Sequence, residues 1–183
     1  MMRCRALRAL APVALLLIAG GCGTDAGSPA DTTTSTRDHH AANAVVERVV
    51  DGDTIVARIG GRSETVRLIG VDAPESVAPT RPVQCYGKEA SLYLADMLPA
   101  GTEISLMRDV EARDVYDRLL GYVVRTSDGL FVNLELVAAG YAAVLNYPPN
   151  DHYADVLDRA QAEAVVSGLG LWSACGGPDV PLD

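Results

Sequence analysis

A chain of 183 residues with 15 basic and 24 acidic side chains carries a formal net charge of −9. That length supports one domain with a proper core of its own, and that charge counts against a protein that coats nucleic acid through a basic surface, because sequence-independent affinity comes mainly from neutralising phosphates. The imbalance grows once residues 1–21 are set apart: without Arg3, Arg5 and Arg8, 12 basic residues face 24 acidic ones, a net of −12.

Those three arginines precede Ala9 to Ile18, an apolar stretch too short to span a bilayer, so residues 1–22 are predicted to be a secretory signal and not a membrane helix. Ala19-Gly20-Gly21-Cys22 resembles a bacterial lipoprotein processing box, which makes Cys22 the lipidated first residue of the mature chain. Ala19 stands where leucine is usual, and the plainer alternative is an ordinary signal peptide. The chain is therefore expected to be exported, either anchored to a membrane through a lipid at Cys22 or secreted. Residues 23–42 hold almost no large apolar side chain and are predicted to be a disordered linker. His39 and His40 within it have no third histidine or cysteine nearby and are expected to be solvated.

The stretch from Val45 to Ser76 is richest in chemistry. Val45 to Val50 and Thr54 to Ile59 are β-branched runs on either side of Asp51-Gly52-Asp53, which is turn chemistry. Two residues apart in an extended chain, Asp51 and Asp53 point to the same side. Gly60-Gly61 turns the next hairpin, and Glu64 to Ile69 returns with strand alternation. Pro74 gives no N–H to a ladder and biases Ala73 away from helix, so the strand is expected to end at Asp72-Ala73-Pro74-Glu75 with the Ala73 carbonyl available. Carboxylates and a carbonyl suit a hard cation such as calcium. Arg67 adds a fork that matches a phosphate bidentately.

Further along, Tyr86 to Leu98 has a helical period closed by Pro99-Ala100-Gly101. Thr102 to Met107 and Leu119 to Arg125 are predicted strands, with Leu130 to Val132 returning from the turn at Ser127-Asp128-Gly129. Asn133 is expected to cap a short helix, Leu134 to Ala139, and Asp151 to Ser167 to form a longer one. Trp172 is expected to anchor the terminal segment in the core. In an exported chain Cys85 and Cys175 are expected to pair, the alternative being two buried thiols.

Asp51-Gly52-Asp53-Thr54 followed by Arg67-Leu68-Ile69-Gly70-Val71-Asp72-Ala73-Pro74-Glu75 resembles the signature of the staphylococcal nuclease (thermonuclease) family. The likeness continues through Tyr86-Gly87-Lys88-Glu89-Ala90, Asp114-Val115-Tyr116-Asp117-Arg118, Val132-Asn133 and Leu171-Trp172-Ser173, over nearly all of Asn43 to Cys175. The resemblance implies an α+β, mainly β fold: a five-stranded Greek-key barrel of the OB type with three helices, spanning residues 43–177 before a short tail, 178–183. It implies that Asp53, Asp72 and the Ala73 carbonyl hold Ca²⁺, with Asp51 supporting them. It also implies that Arg67 and Arg118 clamp the phosphate, that Glu75 orients or deprotonates the attacking water, and that Tyr116 bonds a phosphate or stacks on a base. The chain is then a monomeric nuclease acting on single-stranded DNA and RNA and leaving 3′-phosphate ends.

Singly, each element has a plainer reading. Asp51-Gly52-Asp53 is a hairpin turn, Arg67 an ion-pair partner, and Tyr116 an edge-of-core aromatic. Turn chemistry does not predict arginine, carboxylate and proline in this order, and that favours the nuclease. The alternatives are a non-catalytic OB-type binding module on a surface lipoprotein and a lipoprotein using calcium as structure only. Against the family pattern, Asp117 stands where glycine is common, Val115 where a basic residue is common, and Asn146 where the prototype has a tyrosine near the base.

Overall fold

Alternation of apolar and polar side chains gives a strand one face for a core, and the runs of the first half meet that requirement. The computed structural model describes residues 41–77 and 82–182, all within the compact unit Thr36–Asp183. The expectations placed on residues 1–40, namely the signal segment, Cys22, His39, His40 and most of the linker, lie outside the described residues. The elements run β1 (Ala44–Asp51), β2 (Thr54–Ile59), β3 (Arg62–Leu68), β4 (Gly70–Asp72), α1 (Gly87–Met97) and β5 (Glu103–Met107). They continue with β6 (Leu119–Arg125), β7 (Leu130–Phe131), α2 (Val132–Ala138), β8 (Ala143–Leu145), α3 (Ala154–Val166) and α4 (Leu171–Ala174).

β1 pairs with β2 antiparallel, with register shifts between Val46 and Arg48 and between Val49 and Asp51. Such irregularities bend a strand and increase its twist, which helps a short sheet curl. β2 and β3 join at Gly60-Gly61, both at positive φ (56° and 82°), the backbone a tight hairpin turn demands. β5 pairs with β1, β6 with β5, and β6 then runs parallel beside β3 (Val66↔Leu119, Arg67↔Leu120, Leu68↔Gly121). The ring β3-β2-β1-β5-β6 therefore closes, and the five-stranded OB-type barrel is the observed fold. Ile55, Val66, Leu68, Ile104 and Val123 fill its interior at no more than 1% exposure, with Leu94 from α1, Leu136 from α2 and Leu157 from α3 packed in the same cluster.

The structure departs from the sequence expectations in three places. β4 and β8 pair as a separate two-stranded sheet, and strands of three residues are too short to show an alternation. Asn133 is not the cap of α2 but lies inside it, fully buried. Its Oδ1 accepts the Val123 N–H at 2.9 Å and its Nδ2 donates to the Ile69 carbonyl at 2.8 Å. It thereby satisfies one backbone N–H of β6 and the Ile69 carbonyl at the break between β3 and β4. Finally, a one-turn helix, α4, is added to the three expected, and its fully buried side chain is Leu171, while Trp172 is half-buried. The cause is the close approach of Gly140 and Gly170, where a Cβ on Gly170 would lie 2.1 Å from the Gly140 carbonyl oxygen. That carbonyl accepts the Leu171 N–H at 2.9 Å and turns residue 171 inward. Among the described residues no helix is long and apolar enough to cross a membrane.

Candidate active site

The turn between β1 and β2 sets the first carboxylates. It can press against the molecule only because residue 52 is glycine: a Cβ there would lie 2.6 Å from the Ala73 Cβ and 2.9 Å from that of Ala90 in α1. Asp53, buried at 7% exposure, accepts the Thr54 hydroxyl (2.8 Å) on Oδ1 and the Ala73 N–H (3.0 Å) on Oδ2. Asp51 accepts the Gly52 N–H at 2.8 Å and the Ser76 hydroxyl at 2.5 Å, both on Oδ1. Burial pushes its carboxyl up to about 6. The hydrogen bonds from Ser76 and Gly52 oppose that rise, whereas a hydrogen bond shared with Glu75 and the charge of Asp53 add to it.

Arg67, one residue from the end of β3, is mostly buried and knits the two sides together. Its Nη1 donates to the carbonyls of Leu68 (2.7 Å) and Val71 (2.6 Å), spanning the β3–β4 break. Its Nη2 touches Asp53 Oδ2 at 3.1 Å and Asp72 Oδ1 at 3.0 Å. One nitrogen therefore serves both carboxylates. Glu75 follows Pro74 in the loop after β4, where its carboxylate accepts the Val77 N–H at 3.0 Å and its own N–H donates to Gln84 Oε1 at 2.7 Å.

Arg118 enters from the loop before β6. Asp114 accepts its backbone N–H (2.9 Å) and its Nε (2.6 Å), and so aims the guanidinium. Burial alone would raise the Asp114 carboxyl, but the side-chain and backbone hydrogen bonds from Arg118 outweigh it and hold the group below the usual carboxylate range. Tyr116 is 78% exposed, with its ring 5.5 Å from the Arg118 Cζ. Asp117 sits at φ 65°, in the left-handed region, which is the physical reason a glycine suits this position. Its carboxylate pairs with Arg113 (3.5 Å) and is 86% exposed. Asp117→Gly is expected to stabilise the fold by about 0.5 to 1 kcal/mol through relief of that backbone. The readout is a higher urea midpoint at unchanged slope; a lower midpoint would show that the Arg113 pair outweighs the backbone.

One cleft gathers Asp51, Asp53, Arg67, Asp72, Ala73, Glu75, Tyr116 and Arg118, so the structure brings together every cleft residue named from sequence. Cys85 and Cys175 are joined by a disulfide, Cα atoms 6.0 Å apart; Cys22 lies outside the described residues. Thr54, Gln84 and Asp179 also line the cleft, and Asp114 supports it. The four-residue spacing of Asp114 and Arg118 could have pointed to that pair, whereas no local signal joins Gln84 to Asp179. A smaller apolar pocket of about 110 Å³ adjoins, sharing Arg67 and Arg118 and walled by Leu120, Leu145 and Tyr147. Asn146, exposed just past the end of β8, is not in that wall.

For a cation the donor set is all oxygen. Among the described residues no three carboxylate, imidazole or thiolate side chains close around one point; the set available is Asp53, Asp72 and the Ala73 backbone, with Asp51 close by. A single nitrogen of Arg67 reaches both aspartates, so their oxygens are near enough to share one hard ion, and the residues fit calcium better than a softer metal.

A closed OB-type barrel with carboxylates, two arginines and a tyrosine around one cleft defines a phosphodiester hydrolase in its class. The family model described as Staphylococcal nuclease homologue matches residues 65–174. The chain is 43% identical over 138 residues to the thermonuclease of Staphylococcus intermedius, spanning 75% of this chain and 80% of that protein. It is 38% identical over 128 residues to the thermonuclease of Staphylococcus hyicus (70% and 74% covered) and 36% identical over 149 residues to Endonuclease YncB of Bacillus subtilis (80% and 69% covered). The chain belongs to the staphylococcal nuclease family.

Proposed function

We propose that this chain is an exported, calcium-dependent nuclease that hydrolyses phosphodiester bonds of DNA and RNA, preferably single-stranded, and leaves 3′-phosphate ends. The observation that carries this reading is the meeting of Arg67, Arg118 and Glu75 with the Asp53–Asp72 pair in one cleft. Asp53, Asp72 and the Ala73 carbonyl would hold Ca²⁺ with Asp51 in support, and the bound ion would offset phosphate charge. Arg67 and Arg118 bind the scissile phosphate and stabilise the charge that develops on it. Glu75 takes a proton from the attacking water; the new P–O bond forms as the bond to the 5′ oxygen breaks, and that oxygen takes a proton from solvent, leaving a 3′-phosphate and a 5′-hydroxyl. Tyr116, exposed beside Arg118, contacts a phosphate or stacks on a base, and the adjoining apolar pocket offers room for part of a nucleoside. The acidic balance of the chain supports brief contact with substrate over tight binding. Residues 1–22 carry the reading of export, with Cys22 as a lipid anchor, and the chain is taken as a monomer.

Cleavage of heat-denatured DNA is expected to rise to saturation with added Ca²⁺ and to fall about 10²-fold or more when a chelator is present. Equal rates with and without chelator would refute the role of the metal. A folded chain that cuts neither DNA nor RNA at any Ca²⁺ level would refute the enzyme and favour a binding module.

A further inference from the structure

The segment that leads into α1 is held by the end of the chain. The Cys85 N–H donates to the Val180 carbonyl at 2.7 Å and the Leu182 N–H to the Val83 carbonyl at 3.0 Å, with Gln84 opposite Pro181 in an antiparallel bridge. The disulfide from Cys85 to Cys175 fastens the start of the same tail. Between these ties Gln84 grips the Glu75 peptide on both sides. Its backbone N–H donates to the Glu75 carbonyl at 2.8 Å, and its side-chain Oε1 accepts the Glu75 N–H at 2.7 Å. The far end of that amide donates from Nε2 to Asp179 Oδ1 at 3.0 Å.

An amide side chain can turn over and exchange its oxygen for its nitrogen. A carboxylate, which only accepts, removes that freedom: the nitrogen must face Asp179, so the oxygen must face the Glu75 N–H. Asp179 takes φ 60°, a left-handed backbone uncommon for a residue other than glycine. It also lines the cleft that holds Glu75. Helix α1 closes on the same peptide, since a Cβ on Gly87 would lie 2.4 Å from the Glu75 carbonyl oxygen.

We propose that Asp179 is a positioning residue for Glu75: acting through Gln84, the C-terminal tail sets where the Glu75 carboxylate stands in the cleft. This deepens the nuclease reading above and rests on it. Asp179 orients Gln84, Gln84 fixes the Glu75 backbone, and the reach of the carboxylate toward an attacking water follows from that backbone. A displacement of about 1 Å at such a group is enough to slow a reaction by up to about 10²-fold.

The test uses the full chain with denatured DNA and saturating Ca²⁺. Asp179→Ala is expected to lower kcat by about 3- to 30-fold with KM little changed, and Asp179→Asn, whose amide donates as well as accepts and so leaves Gln84 free to turn over, to recover only part of that loss. In a Glu75→Gln background Asp179→Ala is expected to produce no further loss, because its effect passes through Glu75. Amide hydrogen exchange at Glu75 is expected to quicken in Asp179→Ala while the melting temperature stays close to the wild type. Unchanged kcat in Asp179→Ala, or an undiminished loss in the Glu75→Gln background, would overturn the proposal. Should the wild type cleave no nucleic acid, the nuclease reading fails on its own, and exchange at Glu75 still decides the Gln84 link: unaltered exchange in Asp179→Ala would overturn it.

Discussion

Arg67→Ala is expected to lower kcat on denatured DNA by about 10² to 10³-fold, while calcium binds the variant more tightly than it binds the wild type. The two effects have opposite signs because Arg67 has two neighbours of opposite sign during a turnover. Toward substrate it is, in the proposed mechanism, a donor to the phosphate, and its loss removes stabilisation that grows as charge develops. Toward the metal it is a competitor, since its Nη2 lies 3.0 and 3.1 Å from the two aspartates that would hold the ion. Without it those carboxylates face each other with no cation between them, and a divalent ion relieves the repulsion. Steady-state kinetics beside calorimetric Ca²⁺ titration separates the two. Arg67→Lys, which keeps the charge and loses the fork, is expected to resemble the alanine variant in kcat. If both variants instead bind calcium more weakly and melt early, Arg67 is there for the carbonyls of Leu68 and Val71 and the β3–β4 break.

Removing the disulfide by replacing Cys85 and Cys175 together with alanine is expected to lower stability by about 4 to 5 kcal/mol, and the melting temperature by about 10 °C or more. The bridge joins residues 90 apart, so the loop it closes runs from just ahead of α1 through β5 and β6 to the end of α4. In the unfolded chain that closure removes many conformations, and its loss returns them. Calorimetry of the double variant beside the wild type, both in Ca²⁺, measures the difference. A loss under about 1 kcal/mol would mean that the unfolded chain is already compact enough for the bridge to restrict little.

The strands of the barrel were legible because each is a run of five residues or more with alternating or β-branched side chains, and turn glycines mark several of their ends, as at Gly52, Gly60-Gly61 and Gly129. The cleft residues named from sequence were legible for a different reason, since Asp53, Arg67, Asp72 and Glu75 stand in one ordered stretch. β4 and β8 escaped because three residues hold too little pattern, and Asn133 misled because a polar residue beside a helix start is usually a cap. Here it is worth more to the fold as a buried bridge between Val123 and Ile69 than as a local one. Gln84 and Asp179 were invisible for a related reason. Their pairing spans 95 positions of sequence and depends on a tail whose composition looks like any loop.

The barrel's one parallel seam has a consequence for the order in which the molecule becomes itself. Arg67 lies on one side of that seam opposite Leu120, and Arg118 stands just ahead of Leu119 on the other. Contacts between segments so distant along the chain tend to form late in folding. A chain with its barrel still open thus has the two arginines proposed to clamp the phosphate divided between two unjoined strands, whatever helices or hairpins it has already made. Under the proposed export, with the chain crossing a membrane before it folds, ring closure would act as a safety catch, keeping the chain harmless to the nucleic acid of the cell that makes it.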